Sequence, residues 1–163
     1  MKEIRGLRLI TGTFLVLMMV GALDSAGLTA EDIKLVRGQI VYVPIYSHIY
    51  SGVKGRPFDL TVTLSIRNTD PQHPITIVAV KYYDSDGKLV KDYIDAPLQL
   101  NVLASTRYVI TEGENAGGSG ANFMVTWKSE KDVNPPIIEA VMIGTRSGQG
   151  ISFVSQGQVV KVH

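Results

Sequence analysis

The chain has 163 residues, 45% of them apolar, with 16 Lys+Arg against 15 Asp+Glu and no cysteine. Length and apolar content specify one globular domain with a sizeable core, and the balanced charge offers no basic field to nucleic acid or an anionic membrane. Without cysteine there is no disulfide framework, zinc–thiolate site, thiol nucleophile or lipid-modified cysteine anchor.

The first eight residues, MKEIRGLR, carry Lys2, Arg5 and Arg8 against Glu3. The apolar stretch LITGTFLVLMMVGA follows, short of the ~20 residues that span a bilayer. A basic start, a short apolar middle and small residues after it predict a signal peptide over residues 1–22. Val20 and Ala22 suit cleavage before Leu23; cleavage after Gly27 or Ala30 is the alternative. The expected product is periplasmic or secreted, with no membrane anchor once the signal is removed. Residues 23–38 are polar, weakly patterned and read as a flexible lead-in to a single domain over 39–163.

From residue 39 the pattern has period two. QIVYVPIY sends Val41, Val43 and Ile45 to one side. Pro44 lacks an N–H and places this strand at a sheet edge. DLTVTLSIRN alternates Leu60, Val62, Leu64 and Ile66 with polar residues, as expected of an antiparallel strand with one wet face. TDPQHP is a turn. ITIVAVKYY is apolar on both faces and reads as a central strand. DSDG joins it to KLVKDYI in a hairpin. LQLNVL, TRYVI, NFMVTWK (with Phe123, Val125 and Trp127 on one side), IIEAVMIG and ISFV complete the set. The expectation is an all-β, immunoglobulin-like antiparallel sandwich of about 7–9 strands.

TEGENAGGSGANF (111–123) invites a catalytic reading. A nucleophile elbow requires Gly-x-Ser-x-Gly on a strand-to-helix turn, but Gly117, Ser119 and Ala121 give only a degenerate version and a strand follows. A P-loop requires lysine where Ser119 stands, and Glu112 and Glu114 would repel phosphate. DSDGK begins like a calcium loop, but Gly87 comes too early and Lys88 occupies the third ligand position. His48, His73 and His163 lack metal-site spacing. No cofactor and no metal are expected, no catalytic residue is assigned, and the reading leans away from an enzyme.

Tyr42, Tyr46, His48 and Tyr50 share one parity. Tyrosine, with an apolar body and a polar tip, suits sugars, peptides and partner proteins. Glu139 interrupts an apolar strand, so it must face solvent or pair with a base such as Arg67 or Arg107. Candidate contact residues are therefore Tyr46, His48, Tyr50, Ser119, Asn122 and Glu139.

The blocks VYVPIYSHIY, GRPFDLTVTLSIRNTDPQHPITI, YYDSDGKLV, GGSGANFMVTW, NPPIIEAVMIG and QGISF, in this order, resemble a bacterial family designated domain of unknown function number 3124. SIRNTD…ITIVAVKYYDSDGKLV is more loosely similar to immunoglobulin-like modules of bacterial envelopes. The resemblance implies a bacterial, often exported protein and carries over no catalytic residue. The expected function is a non-catalytic binding or scaffolding module of the cell envelope, its partner an envelope protein or a small ligand. The alternative is a small ligand-binding or hydrolytic protein with a loop-built site at one end of the sandwich.

Overall fold

The computed structural model describes residues 34–51, 54–146 and 148–163. The expected signal peptide and residues 23–33 of the lead-in lie outside them. Twelve strands occur among the described residues, and no helix: β1 (Val36–Pro44), β2 (His48–Ser51), β3 (Arg56–Asp59), β4 (Thr61–Arg67), β5 (Ile75–Tyr83), β6 (Leu89–Asp92), β7 (Leu98–Leu100), β8 (Ser105–Ile110), β9 (Asn122–Val133), β10 (Ile137–Arg146), β11 (Gln149–Gln156) and β12 (Gln158–Val162).

All pairings are antiparallel. A six-stranded sheet runs β12-β1-β9-β5-β6, with β7 also on β5, and a four-stranded sheet runs β11-β10-β4-β8. A two-stranded ribbon, β2-β3, is paired with neither sheet and packs Ile49 and Phe58 against the core. The all-β class is as expected. The strand number exceeds about 7–9 because the short ribbon and β12 lack a long alternating pattern.

One apolar cluster joins the two sheets. Val41, Val43, Phe123, Val125 and Trp127 enter it from one sheet; Leu60, Val62, Leu64, Ile66, Ala140 and Met142 enter from the other. Every large aliphatic or aromatic side chain so buried contributes roughly 1.5–3 kcal/mol, which is how the fold does without a cystine.

Two details differ from the sequence expectation, and a third has a local cause that the sequence does not show. β1 begins at Val36, within the expected lead-in, because Val36 pairs with Val133 and is buried. It lies an odd number of residues from Val41, and a register irregularity between Val36 and Gly38 restores its inward direction. Pro44 is not on an edge strand: β1 lies between β12 and β9. Its missing N–H is tolerated because β12 pairs only as far as Tyr42↔Gln158. β5 is interior, as expected, but its two-sided apolarity has a local cause. A bulge between Ile77 and Ala79 leaves Val78 exposed, so Ile75 and Ile77 face the core on one parity and Val80 and Tyr82 on the other.

The end of the sandwich after β4 is closed by a buried polar knot. Asn68 Nδ2 donates to the carbonyls of His73 (2.9 Å) and Asn101 (3.0 Å), and Asn68 Oδ1 accepts the Asp70 N–H. Asp70 Oδ1 accepts the N–H groups of Gln72 (2.9 Å) and His73 (2.8 Å), and Oδ2 accepts that of Asn134 (3.0 Å). Buried side chains must make such bonds. Here they also tie the β4–β5 turn to the β7–β8 and β9–β10 connections. Donation from Asn134 first, then from Gln72 and His73, holds the Asp70 carboxyl below the usual carboxylate range against the opposing effect of burial.

A folded-state pKa lowered in this way contributes stability that is present above the unfolded value of about 4 and lost as pH falls through the folded value. Thermal unfolding followed by circular dichroism should therefore show Tm falling on acidification below about pH 4. Asp70→Asn, which places an amide among three N–H donors, should lower Tm at neutral pH and flatten the acid limb. An unaltered acid limb in that variant would refute the assignment.

Candidate functional site

At the opposite end of the sandwich three segments meet: the chain between β1 and β2, the β5–β6 turn and the glycine-rich loop 111–121. The β5–β6 turn is closed by Asp84, whose Oδ1 accepts the N–H groups of Asp86 (3.0 Å) and Lys88 (2.8 Å), while Gly87 takes φ +79°. The carboxylate that opens the calcium-like motif is thus engaged in shaping the hairpin.

Ser85, in the same turn, organises the loop. Its hydroxyl donates to the Gly117 carbonyl (3.0 Å) and accepts the Gly120 N–H (2.9 Å). Its own N–H reaches the same Gly117 carbonyl at 2.9 Å. Gly118 adopts φ +75°, open to glycine at little cost. A Cβ at Gly117 would overlap the Tyr82 hydroxyl, and one at Gly118 would lie 2.7 Å from Ser85 Oγ. The glycines let the backbone close on Tyr82 and Ser85; they do not cradle a phosphate.

Ser47 ties the second segment to the same loop. It is buried, its Oγ donates to the Gly118 carbonyl (2.9 Å), its N–H approaches that carbonyl (3.2 Å), and its carbonyl accepts the Leu60 N–H (2.9 Å). With the Ser47 proton so directed, the His48 Nδ1 at 3.3 Å is the donor to Ser47 Oγ, and His48 Nε2 accepts from the Tyr50 hydroxyl at 3.2 Å. The Ser47–His48 pair is therefore not a nucleophile and its base: the serine is buried and its proton is committed to a carbonyl.

The side chains on either side of Ser47 face outward. Tyr46 is 37% exposed and packs edge-on against Phe153, with ring centroids 5.7 Å apart. Tyr50 is 63% exposed and meets the His48 ring at 5.2 Å and 88°. Their shared parity is as expected, but no single strand carries them, because β1 ends at Pro44 and β2 begins at His48. Ser119, half-buried, lies next to the Gly118 that holds Ser47, and Asn122 opens β9 opposite Pro44 and Tyr83. These five candidates thus gather at one end.

Glu139 does not join them. It lies on β10 opposite Ser65, four residues and about 13 Å along the strand from Ile143, which pairs with Thr61. Its Oε1 lies 3.9 Å from Arg67 Nε, the second of the two options, solvent or a base, that its position in an apolar strand leaves open.

Beneath the loop Tyr82, Phe123, Tyr93 and Tyr108 pack in series, tilted or edge-on, at centroid spacings of 5.4–5.6 Å. Burial, and then the nearby Glu114 carboxylate, push the Tyr93 hydroxyl up to about 12 and raise that of Tyr82, which the Gly117 backbone partly offsets. Among the described residues no group of three His, Cys, Asp or Glu is placed to hold a metal. Sequence reasoning missed Ser47 and Ser85, since a lone serine in a turn carries no periodic signal. The density of glycines beside them was the only cue.

Residues 38–160 match the family described as "Protein of unknown function (DUF3124)", a span containing the blocks of the sequence resemblance. No curated protein matches the chain. Among solved structures, "Crystal Structure of Thermotoga maritima 1070" is similar at 13% identity over 77% of this chain and 97% of that chain, with a TM-score of 0.44. At that distance the likeness bears on neither fold nor function.

Two outcomes test this end of the molecule. Gly117→Ala should destabilise the protein, and Tyr82→Phe, which removes the overlapped oxygen, should recover part of the loss; independent, additive effects on Tm would refute the contact. Raised tyrosine pKa values contribute stability below the unfolded value of about 10 that is lost as pH climbs towards the folded one. Spectrophotometric titration should show a tyrosine ionising near 12, with stability falling over the same interval.

Proposed function

The chain belongs to the family described as "Protein of unknown function (DUF3124)", and on that premise we propose that it is a non-catalytic binding module of the bacterial cell envelope, exported by its N-terminal signal. The observation that carries this reading is the exposure of Tyr46 and Tyr50 on either side of the buried, doubly anchored Ser47. Outward-facing tyrosines on a fixed backbone present large contact area at little conformational cost, the property that enriches tyrosine at binding surfaces. The two-sheet antiparallel packing supports an immunoglobulin-like module, whose ends and loops commonly carry recognition. The commitment of Ser47, His48 and Glu139 to partners within the protein weighs against the hydrolytic alternative.

The partner reading is tested by affinity capture from envelope extract with Tyr46→Ala and Tyr50→Ala variants. A specific partner should be retained about tenfold less well or worse by each variant, whereas equal recovery by both would exclude this surface. Export is tested by N-terminal sequencing of the periplasmic or secreted material: the mature chain should begin at Leu23, or after Gly27 or Ala30. A protein that stays in the cytoplasm with Met1 in place would refute it.

A further inference from the structure

The outward face of the four-stranded sheet carries a second polar feature, remote from the tyrosines. Strand register places Ser65 opposite Arg107 on one side and Glu139 on the other, with Glu139 opposite Gln156. The adjoining row brings Arg67 opposite Ser105 and Ile137. Arg67 and Arg107 are thus diagonal neighbours on one face of adjacent strands, a spacing of roughly 7–8 Å at the Cα that long side chains bridge. A depression of about 410 Å³ lies between them, lined also by Thr63, Ser65, Ser105 and Val141.

Apart from Val141 and the threonine methyl groups, the lining offers hydroxyl and guanidinium groups. Arg67 Nε donates to Ser65 Oγ (3.1 Å) and stands 3.9 Å from Glu139 Oε1. Arg107 is exposed and has no ion-pair partner among the described residues. Two arginines thus occupy diagonal positions lining one depression, with one carboxylate, already long in its contact, to offset them. Like charges so placed repel, and the planar forks of arginine match the oxygens of a carboxylate or phosphate.

We propose that this depression is an oxyanion-binding site, in which Arg67 and Arg107 clamp a carboxylate or phosphate group of a small ligand and the Thr63, Ser65 and Ser105 hydroxyls complete its hydrogen bonding. Glu139 limits affinity by competing for Arg67. The site is independent of the tyrosine surface, so either can fail alone.

The test is a ¹⁵N NMR titration of the mature protein with inorganic phosphate, and separately with malonate, at ionic strength held constant with sodium chloride because exposed charge pairs are screened. Saturable shifts confined to the amides of residues 63–67, 105–109 and 139–141 are expected. Binding should weaken about tenfold or more in Arg107→Gln and in Arg67→Gln and tighten in Glu139→Gln. Preference for one probe identifies the ligand group as phosphate or carboxylate. Non-saturating shifts with both probes, or equal affinity in Arg107→Gln and the parent, would overturn the proposal. Arg107 makes no ion pair among the described residues, so its variant decides the matter even if Arg67→Gln fails to fold.

Discussion

The structure depends on a constraint of parity. Alternate side chains of both sheets must reach one apolar core, and with no covalent cross-link between the sheets this burial has to hold them together. A slip of one residue in any strand would turn its apolar row to water. β4 and the first half of β9 satisfy the requirement by strict alternation. β5 and β1 satisfy it by breaking alternation locally. The bulge that expels Val78 and the irregularity beside Gly38 reset parity where the sequence drifts out of phase. A Cβ on Gly38 would lie 2.8 Å from the Trp127 carbonyl, so the reset in β1 depends on that glycine as much as on Val36.

The two ends of the sandwich then face a common problem with different solutions. Connections between sheets carry backbone polar groups, and where they pass close to the core these need partners. At one end Asn68 and Asp70, both buried, bond the backbones of three connections. At the other, the hydroxyls of Ser47 and Ser85 do the equivalent for a glycine-rich loop, uncharged and with smaller side chains. That difference fits position: the charged knot sits under proline-bearing turns, the hydroxyl pair beside a loop whose Gly117 closes on the Tyr82 hydroxyl. The tyrosine surface is therefore a product of the fold's closure. Tyr46 and His48 point outward because Ser47 between them is pinned inward.

Legibility followed the same division. The core rows of β4, β9 and most of β1 were open to reading, since alternation and burial are one signal. For Glu139 the sequence narrowed the choice to solvent or a base, because a carboxylate in an apolar strand has few options. β5 reads correctly as an interior strand, but its two-sided apolarity is one bulge that makes two half-strands of opposite parity. The β2–β3 ribbon was invisible: four-residue strands carry too few alternations, although Ile49 and Phe58 pack against the core. Asn68 and Asp70 read as turn residues, since Asp70-Pro71 suggests a bend whether or not the carboxylate is buried. Ser47 and Ser85 act on backbone groups distant in sequence, a relationship that residue type alone cannot encode.

Gly157, between β11 and β12, has a mechanical meaning. Its N–H bonds to the Ile138 carbonyl at 2.8 Å, and a Cβ there would meet Val41 from the opposite sheet at 2.5 Å. Within one residue the chain passes from the edge of the four-stranded sheet to the edge of the six-stranded sheet. Tension along β12 is thus loaded in shear on the β1 ladder, where the bonds share it, and only then reaches the crossing. The two sheets are laced along this flank, and a pull along β12 must break a full row of hydrogen bonds before it can prise the layers apart.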